Sequence, residues 1–500
     1  MKTIPDLCRR RAELSPDAIA FEEVQGAPAV TFAEMDDRVG RGAVFLAGRG
    51  LEPGDRVAVL CHNGAVFFEL LFACARAGLV LVPLNWRLTP AELRPILADC
   101  GAKLLLADSA TASLATELAE LVPVLSFAGY EAERAAAAPA ADAPSPWETD
   151  RIWYLLYTSG TTGRPKAVIQ TPGMALANAV NIQQATGMGA GDDTLNYLPL
   201  FHTAGINLHA LPLFIAGGTS RIIPKFEPDA VFDLIGRGQL SLFFGVPAVY
   251  QALSLHPAFE TTDFSRVRHW GCGGAPISEP LLRAFAARGV TVCNGMGMTE
   301  TGPTLFLMDQ AHAAAKIGSV GKPQILAEVR IVDFRDEDVA PGEAGELLFR
   351  GPGITPGYFN QPEATARAFA AGGWLRSGDV GRQDADGYYY VVDRIKDMFI
   401  SGGENVYPAE VESALHAHPA ILEAAVIGVA DATWGEVGHA VVLLRPGTAA
   451  TVDDIRAHCR ARLAGYKVPR HITIVEDFPR TAAGKIQKHV LRSLVAGDRG

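Results

Sequence analysis

The chain of 500 residues has only seven cysteines, an odd number with no CxxC spacing, which fits reduced thiols better than a disulfide framework or a cysteine-based zinc site. It has no run of basic residues, and 44 Lys+Arg against 55 Asp+Glu leave a net charge of -11, the wrong sign for a nucleic-acid or anionic-membrane binder. It has no uninterrupted membrane-length apolar run. The nearest, residues 65–84, contains Glu69, Arg76 and Pro83. Each central charge would cost roughly 2.5–3.5 kcal/mol in a bilayer, so a buried helix followed by a strand is expected, with no integral membrane segment. The opening residues lack the apolar core of a signal peptide, so a soluble, cytoplasmic protein is expected. No serine sits in GxSxG, which excludes an α/β-hydrolase nucleophile elbow.

What is present describes a folded, turn-rich protein: 49% hydrophobic and 20% charged residues, with 51 Gly and 32 Pro. At about 150 residues per domain, the length allows roughly three domains. Residues 55–107 alternate strand, helix, strand, helix, strand, which predicts a parallel sheet covered by helices. Pro139, Pro144 and Pro146 interrupt this with a surface connector, after which residues 152–157 read as a strand. A second α/β sheet is expected over about 174–300, with 195–200, 221–226 and 240–246 as strands. Short strands separated by polar turns then predict an antiparallel β region over 321–395. After Lys396, helices alternate with short strands, which reads as a separate α+β domain. The fold class expected is α/β: a large N-terminal domain, 1–395, of layered α/β sheets plus a small β region, and a small α+β C-terminal domain, 396–500.

The segment richest in chemistry is Tyr157-Thr-Ser-Gly-Thr-Thr-Gly-Arg-Pro-Lys166, directly after a predicted strand. Its glycines let backbone N–H groups converge on an oxyanion while hydroxyls and a lysine add donors, which suits a polyphosphate. The Walker pattern GxxxxGK[ST] fails here. This segment resembles the phosphate loop of the adenylate-forming superfamily: acyl- and aryl-CoA synthetases, peptide-synthetase adenylation domains and luciferases. Further segments agree in order: residues 271–276 and 295–302 with the adenylate-pocket motifs, 376–379 with 393–397 for ribose and hinge, and 479–485 for the C-terminal lysine loop. The match covers nearly the whole chain, and its closest likeness is to an AMP-forming acyl- or aryl-CoA ligase of the feruloyl-CoA-synthetase type.

The resemblance implies ATP, Mg²⁺ and coenzyme A as ligands, with a small-molecule carboxylic acid as substrate. It places Thr158, Ser159, Gly160, Thr161, Thr162, Gly163 and Lys166 on the ATP phosphates, and Glu300 with Thr161 on the metal. Gly273, Gly274, Ala275 and Pro276, with Asn294, Gly295, Met296, Gly297, Met298 and Thr299, would line the adenylate pocket. Asp379 and Arg394 would meet the ribose, and Lys396 would be the hinge that makes the small C-terminal domain, 396–500, mobile. Lys485 is the foremost catalytic residue implied, because a lysine delivered to the carboxylate and α-phosphate offsets their repulsion as charge develops. His202 would line the acyl pocket, and Gly402, Gly403, Glu404 and Trp434 would border the passage for the CoA arm.

The sequence departs from the family pattern in places. Ala167 replaces a usual third glycine, which requires φ below zero there, and Met296 replaces an aromatic, offering adenine a sulfur contact instead of a flat ring. Cys272 lies in the adenine motif and reads as a small buried side chain. The activity implied is a two-step acid–thiol ligase: the acid and ATP give acyl-adenylate and pyrophosphate, then the CoA thiol gives thioester and AMP. The alternatives are an adenylation enzyme loading a carrier protein in trans, and a luciferase-like adenylate oxygenase. Residues 203–215 look most like aryl ligases acting on hydroxycinnamate-like acids, with medium-chain fatty acids next. A monomer or homodimer is expected.

Overall fold

A computed structural model describes residues 1–26, 28–138, 145–158, 165–480 and 485–497. The expected strand–helix alternation over 55–107 forms a parallel sheet. Its six strands run in the order Lys166–Gln170, Tyr154–Thr158, Val80–Pro83, Arg56–Leu60, Leu104–Ala107 and Val124–Ser126. Only Lys166–Gln170 runs antiparallel to its neighbour. The second sheet has nine strands. Its parallel centre is Val292–Met296, His269–Cys272, Leu242–Gly245, Asp193–Asn196, Thr219–Ile222 and Ile19–Glu23. The strand expected at 195–200 is displaced to Asp193–Asn196. Asn196 turns its amide inward, donating to Gly205 O at 2.8 Å and accepting from Asn63 at 2.7 Å, and the chain then leaves the sheet.

The helix Ala65–Ala77 matches the stretch read as buried, and Phe68 and Phe72 pack with Phe21 and Phe214 in one core. No described helix is long and apolar enough to cross a membrane. The two charges within this helix are paired. Glu69 accepts from Tyr130 Oη and Arg134 Nη1, each at 2.6 Å, and Arg76 spans Asp6 and Asp36. Glu23 accepts the N–H of Ala65 at 2.9 Å, and Gly78, at φ 73°, ends the helix in the left-handed region. Substituting Arg76→Met would strand two buried carboxylates, one of which Arg9 also meets. We expect a loss of about 3–5 kcal/mol in unfolding free energy, read by urea denaturation.

The expected antiparallel region comprises Glu328–Val332, Gly345–Arg350, Phe369–Ala370, Trp374–Gln383 and Tyr389–Arg394. Beyond it, a fourth sheet is built on the long hairpin Ile421–Asp431 and Gly435–Leu444, with Phe399–Ser401, Glu404–Val406 and a parallel edge strand, His471–Val475. The helices Pro408–His416 and Val452–Arg460 contribute Val411, Leu415, Ile455 and Cys459 to its core.

Candidate active site

Thr158 closes the strand Tyr154–Thr158 and stands opposite Lys166, the first residue of the returning strand. The phosphate-loop residues Ser159, Gly160, Thr161, Thr162 and Gly163 lie outside the described residues, in the connection between these two strands. Ala167 is buried in the extended strand opposite Tyr157, a backbone position where alanine carries no strain.

The segment 355–359 was not singled out from the sequence, and it ties the phosphate hairpin to Glu300. Ile169 N donates to Gly357 O at 3.1 Å and Phe359 N to Ala167 O at 2.9 Å, which fixes Tyr358 beside the hairpin. The Tyr358 ring lies 4.8 Å from Lys166 Nζ, and its hydroxyl donates to Glu300 Oε1 at 2.9 Å. Burial and the neighbouring Glu300 carboxylate raise the Tyr358 pKa, so the phenol stays a donor. Thr355 N bonds Glu300 O at 2.8 Å, and Gln170 Nε2 bonds Thr299 O at 3.0 Å. Glu300 is therefore buried, with its carboxylate held by Tyr358 and its backbone fixed by Thr355. One buried carboxylate near Lys166 fits Mg²⁺, which takes one or two protein oxygens and leaves other positions to phosphates and water. We expect Tyr358→Phe, which keeps the ring under Lys166, to raise the Mg²⁺ concentration for half-maximal pyrophosphate release about tenfold.

The adenylate-motif residues form the carboxyl ends of neighbouring strands. Cys272 pairs with Asn294, bringing residues 273–276 beside 295–299. Gly274 adopts φ +83°, and a Cβ there would lie 3.5 Å from Lys485 Cε. Gly273 has the Phe244 ring and Gly295 O within about 3 Å of where a Cβ would project. Gly297 faces the carbonyl of Pro303 so closely that any side chain is excluded. Met296 is partly buried against the cluster around Phe306. Burial raises the Cys272 thiol pKa, which makes it inert.

Asp379 and Arg394 occupy facing positions in adjacent antiparallel strands, joined by Nε···Oδ1 at 3.2 Å. Burial pushes the Asp379 carboxyl pKa up, against the pull of Arg394, Lys485 and Lys396. Lys485 lies in a crowded cleft; desolvation lowers its pKa, helped by Arg394 and opposed by Asp379. His202 is brought to the same place: burial, then the charges of Lys485 and Arg87, lower its pKa to about 4. Arg87, which carried no motif signal, lies 4.8 Å over the Trp86 ring. Lys485, Asp379, Arg394, Gly274 and His202 thus gather from distant parts of the sequence. Lys396 is exposed in a turn where Arg394 O accepts from Asp397 N at 3.0 Å.

Gly402, Gly403, Glu404 and Trp434 form a second group. Gly402 and Gly403 turn the hairpin between Phe399–Ser401 and Glu404–Val406 at φ +61° and +90°. Gly402 N donates to Trp434 O at 2.9 Å, and Trp434 is 46% exposed.

Beside His202 the chain winds through a π-helical turn, Ala204–Leu208. A small cavity lies between this turn, the strand carrying Thr194 and Asn196, and Phe244, with His209 in its wall.

A lysine over Gly274, a buried carboxylate beside the Lys166 hairpin and a small cavity near a buried, neutral histidine have the chemistry of an enzyme that joins a carboxylate to a nucleotide. Residues 8–359 match the family described as AMP-binding enzyme, and residues 410–485 its C-terminal domain. The chain belongs to this family and is an AMP-forming acid–CoA ligase. It is 43% identical to a feruloyl-CoA synthase of Amycolatopsis sp over 486 residues, 97% of each chain. It is 38% identical to an indoleacetate–CoA ligase of Aromatoleum aromaticum over 501 residues, again 97% of each. The solved o-succinylbenzoate coenzyme A synthetase of Bacillus subtilis, in complex with ATP and magnesium ion, superposes with a TM-score of 0.89. That pair shares 33% identity and covers 99% of this chain and 100% of the other.

Proposed function

We propose that this ligase activates an aryl carboxylic acid of the hydroxycinnamate type, with Lys485 as the catalytic lysine of the first half-reaction. The observation that carries the second part is the convergence of Lys485 on Gly274, Asp379 and His202. In the first step a carboxylate oxygen attacks the α-phosphorus of ATP, an acyl–O–P bond forms and pyrophosphate leaves. Lys485 offsets the charge gathering between the two anions. Thr158, Lys166 and the hairpin loop hold the phosphates, Asp379 accepts the ribose hydroxyls, and Arg394 holds Asp379 in place. Glu300, oriented by Tyr358, holds Mg²⁺, which supplies charge neutralisation on the phosphates. His202, neutral above about pH 4, walls the acyl pocket without attracting a second anion.

In the second step the CoA thiol attacks the acyl carbonyl, a C–S bond forms and AMP leaves. We assign Gly402, Gly403, Glu404 and Trp434 to the thiol passage, presented after the residues beyond Lys396 rotate about it. Support for a boundary there comes from sheet membership: Tyr389–Arg394 belongs to the third sheet and Phe399–Ser401 to the fourth. The seven cysteines are unpaired and buried, which supports a reducing, cytoplasmic setting. The aryl preference is supported by likeness to the feruloyl and indoleacetate ligases. The test is pyrophosphate release and thioester formation, with and without CoA, across aryl and alkyl acids. Preference for hexanoate over cinnamates would overturn the aryl reading.

A further inference from the structure

On the proposed function the small cavity beside the π-helical turn is the far end of the acyl site, and its wall is polar. His209 closes one side; its Nδ1 lies 2.9 Å from Thr194 Oγ1, and that oxygen is also 3.1 Å from Leu242 O. A carbonyl only accepts, so the threonine proton goes to Leu242 and its oxygen takes the Nδ1–H of His209. This assignment leaves His209 Nε2 as a bare acceptor.

His269, at the start of the strand His269–Cys272 and only 3% exposed, lies behind the cavity wall, near enough for its charge to act on His209. Side chains alternate along a strand, so His269 shares a face with Gly271. A Cβ on Gly271 would lie 2.7 Å from Phe244 Cδ2 and 3.5 Å from His269 Cε1, so both rings meet above this glycine. The Phe244 ring in turn packs edge-on to His209, with centroids 6.0 Å apart. Among the described residues, neither ring nitrogen of His269 has a hydrogen-bond partner, although both are buried. Such a group is costly to maintain in a folded core without a function. Desolvation, the larger cause for each, holds His209 near a pKa of about 3 and His269 near about 4, so both imidazoles are neutral at physiological pH.

We propose that His209 and His269 form a hydrogen-bonding subsite for an uncharged hydroxyl at the far end of the acyl group. The hydroxyl donates its proton to His209 Nε2 and accepts an N–H from His269, so that one group satisfies both. The pairing of one donor with one acceptor selects a hydroxyl over a methyl, which offers neither, and the neutrality of both rings selects it over a second carboxylate. The Phe244 ring, lying along the side-chain-free face of Gly271 and Gly273, gives the adjoining part of the acyl group a flat wall. This inference rests on the aryl-acid reading above and names which aryl acids are taken.

The experiment compares cinnamate with 4-hydroxycinnamate in pyrophosphate release, taking the ratio of kcat/KM values for wild type, His209→Leu, His269→Leu and His269→Gln. For wild type we expect a ratio of about ten- to a hundredfold in favour of the hydroxylated acid, carried chiefly by KM. Both leucine variants should bring the ratio to within about threefold of one, and His269→Gln, which keeps an N–H, should restore most of it. A wild-type ratio near one overturns the proposal even if a leucine variant does not fold, as does a ratio that persists in both leucine variants. Equal turnover of the two acids removes the subsite alone. Turnover of hexanoate with neither cinnamate removes the aryl reading as well.

Discussion

Lys485→Ala is expected to lower acyl-adenylate formation by about a hundred- to a thousandfold while leaving thioester formation from supplied acyl-adenylate within about threefold of wild type. Removing one preorganised positive group at a site of developing charge has that order of effect. Arg394, the cation paired with Asp379, is engaged there. Single-turnover measurement of each half-reaction checks the split, and equal losses in both would refute the role. The alkaline side of the pH profile carries the same assignment. Desolvation lowers the Lys485 pKa below the ordinary 10.5, so its charge, and adenylation with it, should be lost at lower pH than for an exposed lysine. His202, with its pKa lowered to about 4, should contribute no inflection near 6.5.

Gly402→Val should give the opposite split. Position 402 sits at φ +61°, and a Cβ there would lie 2.5 Å from Trp434 Cε3. A branched side chain must therefore strain the hairpin, displace the exposed indole and fill the space assigned to the thiol arm. A displacement of about an ångström at a reacting group can cost about a hundredfold, and a loss of that order is expected in thioester formation. Adenylation should stay within about threefold, because Gly402 lies outside the Lys485 group. Unchanged transfer of supplied acyl-adenylate to CoA would remove Gly402 from the passage.

Much of the fold was legible because its elements announce themselves by period and length. The helix over 65–77 was readable from its apolar run, and its charges marked it as buried in protein rather than lipid. The antiparallel region after 321 was readable from its polar turns. The π-helical turn at 204–208 was not, since its winding is held by tertiary bonds such as Asn178 Nδ2 to Asn207 O and Tyr154 Oη to Asn207 Oδ1. Within the site, residues in short dense motifs were found. Tyr358 and Arg87 were missed because each stands among residues with no chemical pattern and acquires its place only from a neighbouring strand or loop.

By itself the sequence determined the chemistry available: hydroxyls and lysine on a glycine hairpin, a carboxylate in each of two motifs, and a lysine near the C-terminal end. These are local facts, set by which side chains lie within a few residues of each other. Only the tertiary structure decided which of them meet. Antiparallel pairing put Asp379 across from Arg394, and packing of the chain around Lys485 brought it over Gly274 from more than two hundred residues away. It also decided protonation, because His202, His209 and His269 are ordinary histidines in sequence and neutral ones once burial makes their charged forms too costly.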